Sequence, residues 1–358
     1  MKKPYVLLLI LLLAASGFAQ EVIRNPAKPS NPGAGRVLKL ELVYEISDAS
    51  GEFFFKFPRY FYIDDQKRLY FLDEDELLQF SPEGKFIRNF FKKGQGPGEI
   101  SADWSSVSFA FDSKELYVCD GIGKIIRFRE DGTLAGEIRL SEGKRSRLFG
   151  IDKKGFLIYQ EKGIRFKQKS GLQEMGTRIL LFSPDGTRTT SFLEFPWLFY
   201  MSANYGKIWD VYLQAFNPRD NSLYVSHTGE YRVVKVDLSQ NKIVRSFSRE
   251  YPRVKHIVRD YEKEIIKKYH PPVKDFENDI ENLFLCGDNL WVETSTYDKE
   301  ERNLFDVFDP LGRFIDSFHI NRSVHLILVD GDFIFAVTKD KEGNLLIGKY
   351  RVLNGTKF

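Results

Sequence analysis

Aromatic side chains that could hold a ligand are concentrated in one short stretch of the chain, PWLFYMSANYGKIWDV at residues 196–211. Trp and Tyr rings offer large contact areas at low entropic cost, and they could stack on a sugar, a nucleobase or a peptide. The alternative is that these rings pack on the body of the protein. A histidine in LYVSHTGE is predicted to lie at a loop mouth on the same face, the alternative being a solvated loop histidine. The candidate ligand-binding residues are therefore Trp197, Tyr200, Tyr205, Trp209 and His227.

No other pattern in the sequence selects a catalytic or metal-binding group. The five histidines show no HExxH or comparable ligand spacing. The acidic runs at residues 73–76 and 297–301 lack the D-x-D-x-D-G pattern of a calcium loop. Ser, His and Asp are present without a G-x-S-x-G elbow or a spacing that selects a triad. We therefore predict no catalytic residue, no metal and no cofactor.

The stretch KKGQGPGEI at residues 92–100 superficially resembles a phosphate-binding loop. A phosphate loop needs Gly-x4-Gly-Lys-Ser/Thr between a strand and a helix, and this stretch lacks the Lys-Ser/Thr pair and precedes a strand-like segment. A Rossmann fingerprint would also need a helix after it. We interpret the stretch as a joint between two repeated sheets, where glycines permit a sharp turn and proline fixes φ.

Six copies of one pattern organise the rest of the chain. Each copy has an apolar strand ending in Asp or Asn, a short polar turn, a segment such as LYV, and further strands separated by a turn such as S-P-E-G or E-D-G. A repeat of about 40–45 residues with four short strands is typical of a propeller blade. The anchor positions of the six copies are Tyr70, Tyr117, Leu157, Tyr224, Trp291 and Phe335.

The repeat predicts an all-β fold, a six-bladed β-propeller of four-stranded antiparallel blades. A TIM barrel or doubly wound fold would need a helix between strands, and a β-sandwich would not explain six copies of one unit. The sixth copy lacks a fourth strand. We expect residues Val37 to Ser47 to pair with Leu345 to Arg351 and close the ring, which would leave no large sheet edge unpaired.

Two segments carry a resemblance to a known family. The GQGPGEI motif is followed by FAFDSKELYVCD, and a later segment reads LWVETS and then FDVFDPLGRFI. These segments resemble the bacterial secreted six-bladed β-propeller family related to the NHL-repeat proteins. The resemblance covers residues 37 to 353, and it implies a secreted or periplasmic propeller. It supplies no catalytic residues.

Three insertions are predicted to lie on one face of the disc. They are a basic loop at residues Glu161 to Thr177, a blade-to-blade crossing at Pro196 to Val211, and the segment Arg249 to Ile280. The last contains RDYEKEIIKKYH, whose apolar spacing predicts a short amphipathic helix between blades four and five, ended by two prolines. Insertions on one face of a repeat fold often build its binding surface.

The N-terminal residues have the composition of an export signal and a spacer. Residues 1–19 show a basic start, a short apolar run and small residues before a cleavage point, which indicates a signal peptide too short to span a membrane. Residues 20–36 are rich in Pro, Gly and Asn and are predicted to be a disordered spacer before a propeller at 37–358. The two cysteines, Cys119 and Cys286, fall in different blades, so we expect free buried thiols.

These features favour a binding function without selecting a ligand. The formal net charge of +3 comes from mixed charges, which gives no basis for nucleic-acid binding. The leading hypothesis is a monomeric, non-enzymatic propeller of the cell envelope that holds a protein, peptide or glycan on the insertion face, without membrane insertion. The alternative is a lyase or hydrolase with a site at the channel mouth. A cluster of His, Arg and a carboxylate around the channel would favour the enzyme.

Overall fold

The computed structural model describes residues 21–47, 55–101, 106–112, 114–142, 145–161, 171–202 and 204–354. The described chain is almost entirely β-structure, with one α-helix, α1 (Asp260–Tyr269). The predicted signal peptide at residues 1–19 lies outside the described residues, as do residues 162–170 of the basic loop.

Six sheets account for the described strands. The N-terminal segment supplies β1 (Glu21–Asn25), β2 (Arg36–Val37) and β3 (Leu40–Ile46). Sheet 1 contains β4 (Pro58–Ile63), β5 (Leu69–Asp73), β6 (Glu76–Phe80) and β7 (Phe86–Asn89). Sheet 2 contains β8 (Ser108–Asp112), β9 (Glu115–Cys119), β10 (Lys124–Phe128) and β11 (Leu134–Arg139). Sheet 3 contains β12 (Ser146–Asp152), β13 (Gly155–Glu161), β14 (Gly171–Phe182), β15 (Arg188–Ser202) and β16 (Tyr205–Ile208).

The second half of the chain forms the other three sheets. Sheet 4 contains β17 (Tyr212–Asn217), β18 (Ser222–His227), β19 (Val233–Asp237) and β20 (Lys242–Arg249), with β1 at its edge. Sheet 5 contains β21 (Ile280–Cys286), β22 (Asn289–Tyr297), β23 (Arg302–Phe308) and β24 (Phe314–Asn321), with β2 at its edge. Sheet 6 contains β25 (His325–Asp330), β26 (Phe333–Lys339), β27 (Leu345–Val352) and β3.

Each sheet shares a hydrophobic core with the next one. Among the described residues, six buried clusters join sheet 1 to sheet 2, sheet 2 to sheet 3, and so on around to sheet 6. The cluster between the last and the first sheet contains Phe335 of β26 together with Phe71 of β5. Small antiparallel sheets that pack face to face in this way are typical of a β-propeller.

The repeat anchors occupy equivalent places in the structure. Each of the six lies in the second strand of its sheet, and all are buried, from Leu157 and Trp291 at 0% exposure to Tyr117 at 9%. The pairing of the sixth sheet agrees with the prediction over Leu40–Ile46, since β3 pairs antiparallel with β27 and Gly348 lies opposite Glu45, whereas Val37 belongs to β2 and pairs with β24. An N-terminal strand therefore completes the sheet that the C-terminal copy leaves one strand short.

The prediction of a disordered spacer before residue 37 is wrong for the described residues. β1 pairs in parallel with β20, and β2 pairs in parallel with β24. The side chain of Asn25 is buried, and Arg36 forms an ion pair with Asp316, with Nη2 and Oδ2 2.8 Å apart. Residues 21–46 thus form an N-terminal belt along the outer edges of sheets 4, 5 and 6. The Pro and Gly residues, together with Asn31, lie in the links between these short strands, whereas Asn25 ends β1.

The expectation of uniform four-stranded units is also corrected. Sheets 4 and 5 gain a fifth strand from the belt, and sheet 3 gains β16. The segment at residues 196–211, predicted as a crossing, instead continues β15 and turns back as β16. Since β14 has 12 residues and β15 has 15, this hairpin extends well past the ends of the other strands of sheet 3.

The glycine-rich stretch forms a compact loop between β7 and β8. Its backbone closes on itself, because the Ile100 amide donates to the Lys92 carbonyl at 2.7 Å. The carboxylate of Glu99 accepts a hydrogen bond from the Gly96 amide at 2.8 Å. A Cβ at Gly94 would lie 2.0 Å from that carboxylate, so a larger residue there would displace the Glu99 side chain. The loop therefore folds around its own acidic side chain, and its role is structural.

Candidate ligand-binding site

A cavity of about 590 Å³ lies among the first strands of sheets 1, 2, 3 and 4. About half of the residues that line this central cavity are aromatic, and the rings include Phe61, Phe109, Phe111, Phe149 and Phe216. The volume and the mainly apolar wall are typical of a small-ligand site. The extended end of β15 contributes Phe195 and Trp197 to the same wall.

The strand β4 is distorted where it meets the cavity. Its pairing with β5 shifts between Arg59 and Tyr62, and Tyr60 has a φ of 53° in the left-handed region. This backbone conformation is strained for a residue with a bulky side chain. Tyr60 is 40% exposed, and the Arg59 guanidinium lies 4.9 Å from its ring centre. The bulge therefore turns a large polar ring toward solvent at the cavity wall.

Two buried polar atoms of the cavity wall have no hydrogen-bond partner among the described residues. They are the hydroxyl of Tyr159 and Nε1 of Trp197. Tyr159 is only 7% exposed, and burial raises the pKa of its hydroxyl well above the usual value. A buried polar group without a partner costs about 1–3 kcal/mol. Both atoms are closed off from solvent in the structure, so a ligand would recover that free energy only after the two side chains shift toward it.

The charged side chains of the cavity wall are mainly basic. Arg145, Arg147 and Glu161 line it, and Arg147 Nη2 lies 3.7 Å from Glu161 Oε1. Arg145 has no ion pair within the described chain. The pKa of the half-buried Arg59 is lowered by its burial, and the nearby Arg147 also lowers it. The cavity wall therefore carries an excess of positive charge.

The five candidate residues do not form one cluster. Trp197 lines the central cavity. Tyr200 is buried, and its hydroxyl donates to the carbonyl of Tyr269 at 2.8 Å, which fixes the end of α1 against the long hairpin. His227 lies at the end of β18, where its Nδ1 accepts a hydrogen bond from the Gly229 amide at 3.1 Å.

His227 is held by the residues that adjoin the central cavity. Its Nε2 lies 3.4 Å from Oδ1 of Asp210, and its ring packs edge-on against Tyr212, a cavity residue, with ring centres 5.0 Å apart. Because Nδ1 accepts a hydrogen bond, the ring proton of neutral His227 belongs on Nε2, facing Asp210. His227 therefore supports the wall and is not among its lining residues.

Tyr205 and Trp209 line a second cavity of about 420 Å³ beside α1. Tyr205 stacks on Tyr269 with ring centres 4.8 Å apart. His256 lies between two carboxylates here, with Nδ1 3.0 Å from Glu277 and Nε2 3.4 Å from Glu262. No group of His, Cys, Asp and Glu in the described chain is arranged to hold a metal ion.

Most of the central cavity was not found by motif reasoning. Tyr159 belongs to the segment LIYQ, which has the pattern of a buried strand, and Arg145 and Arg147 lie just before and near the start of β12 without any motif. One signal was present in the repeats. The first strands of sheets 1, 2 and 4 contain RYFY, SFAF and YLQAF, whereas the first strand of sheet 6 is HLILVD, without an aromatic residue.

The fold, but not the sequence, has recognisable relatives. No known family model and no curated protein match the chain in sequence. A Bacteroides fragilis protein described as exported is 13% identical, with 93% of this chain and 100% of the other covered and a TM-score of 0.53. This similarity shows a shared fold. The NHL-repeat resemblance rests on the sequence motifs alone.

Two further solved structures are more distant in shape. A member of the DUF4221 family from Bacteroides vulgatus is 11% identical over 89% of this chain and 99% of the other, with a TM-score of 0.48. A gluconolactonase from Xanthomonas campestris is 16% identical over 92% of this chain and 98% of the other, with a TM-score of 0.45. At these scores neither similarity carries an argument about function.

Within the described residues, no helix has both the length and the apolar character needed to cross a bilayer.

Proposed function

We propose that this protein is an exported, six-bladed β-propeller that binds a ligand in the central cavity without chemical conversion. The six blades correspond to the six sheets, with β3 closing the ring. Export to the periplasm or the exterior is supported by the signal-like N-terminus and by the exported protein of Bacteroides fragilis that shares the fold. The ligand enters from the face that carries the β14–β15 hairpin and α1, and the protein acts as a monomer.

The observation that carries this proposal is the chemistry of the central cavity. Its wall combines many aromatic rings with unpaired polar atoms on Tyr159 and Trp197. A cavity that is used only for packing would be filled by side chains, since protein interiors are close-packed. Large apolar cavities with a few convergent polar groups are typical of binding sites.

A catalytic function has less support from the same wall. General acid–base chemistry is most often performed by histidine or by a carboxylate of raised pKa. The described residues that line the central cavity include one carboxylate, Glu161, near Arg147, and they include no histidine. We therefore develop the binding function alone.

Trp197 provides the test of this function. Wild-type protein, Trp197→Ala and a surface control, Arg219→Gln, are immobilised and exposed to envelope extract, and retained components are identified by mass spectrometry. We expect Trp197→Ala to lose a component that the other two proteins retain, because truncating an aromatic anchor typically costs about 2 kcal/mol or more of binding.

Thermal stability distinguishes binding from packing. We expect Trp197→Ala to keep a melting temperature close to the wild-type value, since Trp197 is only partly buried. Trp291→Ala serves as the contrast, because Trp291 is fully buried and its truncation should cost about 3–5 kcal/mol. The proposed function would be wrong if Trp197→Ala were destabilised like Trp291→Ala while retaining the same components as the wild type.

A further inference from the structure

We infer, building on the proposed function, that the central cavity recognises an aromatic carboxylate: a flat aromatic ring joined to one carboxylate group. Such a group occurs in a free aryl acid and at the end of a peptide whose last residue is aromatic. The inference depends on three features of the wall, which are its rings, its hydrogen-bonding groups and its charge.

The rings of the wall favour an aromatic ligand over a sugar. Phe side chains from the inner strands offer no hydrogen bonds, whereas a sugar presents several hydroxyl groups that must each find a partner when they are buried. Besides Arg145, Arg147 and Glu161, the described wall has two polar side chains without an aromatic ring, Thr177 and Gln214. An aromatic ligand can pack against the rings of this wall in offset-stacked or edge-on geometry, with ring centres about 4.5–7 Å apart.

The unpaired polar atoms of Tyr159 and Trp197 can both donate a hydrogen bond, so a ligand that bonds to them must offer an acceptor. Nε1 of Trp197 can only donate a hydrogen bond, and the protonated hydroxyl of Tyr159 can donate one as well. A tyrosine hydroxyl is protonated at neutral pH in any case, and burial raises the pKa of Tyr159 further. The guanidinium groups of Arg145 and Arg147 also donate only. A ligand that offered several acceptor lone pairs could accept hydrogen bonds from the two arginines, and from Tyr159 and Trp197 once these side chains turn toward it.

The charge of the wall makes that acceptor an anion. Two arginines and one glutamate line the described wall, and the half-buried Arg59 adjoins it, with its pKa lowered by burial and by Arg147. Charged hydrogen bonds between arginine and carboxylate are about twice as strong as neutral ones, and the guanidinium geometry matches both oxygens. One carboxylate would neutralise the single positive charge left on the lining residues after Arg147 and Glu161 are paired.

Matched probes that differ only in charge test this inference. Binding of 3-phenylpropionate and of its neutral amide, 3-phenylpropanamide, is measured by isothermal titration calorimetry with wild-type protein. We expect the carboxylate to bind at least about tenfold more tightly than the amide, a difference of about 1.4 kcal/mol. The peptide acetyl-Gly-Gly-Phe and its C-terminal amide form a second pair, and the tighter of the two carboxylates identifies the source of the ligand.

Four variants assign the effect to the cavity. Arg145→Gln should reduce the preference for the carboxylate to below about threefold, whereas the surface variant Arg219→Gln, whose guanidinium is paired with Asp288, should keep the full preference. Glu161→Gln should strengthen carboxylate binding, because it removes the competing anion of Arg147. Tyr159→Phe should weaken carboxylate binding without lowering the melting temperature, since the hydroxyl has no partner within the described protein.

The outcomes separate this inference from the proposed function. Equal affinity for the carboxylate and the amide would overturn the assignment of an anionic ligand while leaving a binding cavity. Failure of all four probes to bind would overturn it as well, and the retention experiment with Trp197→Ala would still decide the proposed function independently. A carboxylate preference that survived in Arg145→Gln would place the anion site elsewhere and refute the inference.

Discussion

Replacing Asn25 with alanine should lower the free energy of unfolding by about 3 kcal/mol. The side chain of this residue, at the end of β1, makes three hydrogen bonds to backbone groups of two different sheets. Nδ2 donates to the carbonyls of Ser248 and Gly312, both at 2.9 Å, and Oδ1 accepts from the amide of Phe314 at 2.9 Å. A net contribution of about 1 kcal/mol for each bond gives the expected total.

The matched control lies a few residues further along the belt. The exposed hydroxyl of Ser30 makes one long hydrogen bond, 3.4 Å to the carbonyl of Ile315, so Ser30→Ala should change stability by less than about 0.5 kcal/mol. Both variants are unfolded in urea and followed by tryptophan fluorescence and circular dichroism. If Asn25→Ala were no less stable than Ser30→Ala, the belt would not hold sheets 4 and 5 together, and the energetic role assigned to Asn25 would be refuted.

Two further perturbations test other parts of the fold. Arg249→Met should lower the free energy of unfolding by about 3–5 kcal/mol, because it leaves Asp306 buried without its ion-pair partner; the pair is 2.7 Å long and joins sheets 4 and 5. The double variant with Asp306→Asn should recover part of this loss. Equal stability of the single and double variants in chemical denaturation would contradict the coupling. Burial raises the pKa of the thiols of Cys119 and Cys286 to about 12. Ellman's reagent at pH 8 should therefore label neither thiol in the native protein and both after denaturation. Rapid labelling of the native chain would show that a blade opens.

The sheets could be predicted from the sequence because each one is encoded locally. A strand, a turn and the next strand are adjacent in the chain, so alternation and turn residues identify the unit, and repetition identifies it again. Taken alone, neither Tyr70 nor Trp291 indicates where it lies in the fold. Their equivalent positions in the repeated copies predict the same buried place, which the structure confirms. The closing strand β3 could be predicted for a related reason, since the sixth copy is visibly incomplete.

The belt could not be predicted because its partners are remote and its pairing is parallel. Glu21 lies opposite Arg245, and Arg36 lies opposite Phe318, so no local pattern links the paired segments. The short strands are separated by Pro, Gly and Asn, a composition shared with flexible spacers. The contacts that distinguish this segment from a spacer, such as the buried bonds of Asn25 and the ion pair of Arg36 with Asp316, depend on the completed fold.

Only part of the candidate site could be predicted from the sequence. The rest was missed because side chains alternate between the two faces of an extended strand. Successive residues of a strand point to opposite faces, so neighbours in the aromatic stretch have different surroundings. Trp197 lies on the face of β15 that lines the central cavity, whereas Tyr200 lies on the face that contacts the end of α1. From the sequence, residues 196–211 are interpreted as a crossing loop, and a loop has no strand alternation from which to assign its rings to two faces.

The belt and the central cavity occupy different sectors of the ring, and this arrangement has a consequence for the binding site. The belt strands pair with the outer edges of sheets 4, 5 and 6, whereas the described cavity wall comes from sheets 1 to 4, mainly from their inner strands. Only sheet 4 takes part in both. Substitutions in the inner strands of sheets 2 and 3 therefore leave the strand pairing of the belt in place, whereas β4 of sheet 1 packs in the same buried cluster as Ile46 of β3. For the binding function proposed above, the inner strands of sheets 2 and 3 can vary with the ligand while the N-terminal segment continues to pair with sheets 4, 5 and 6.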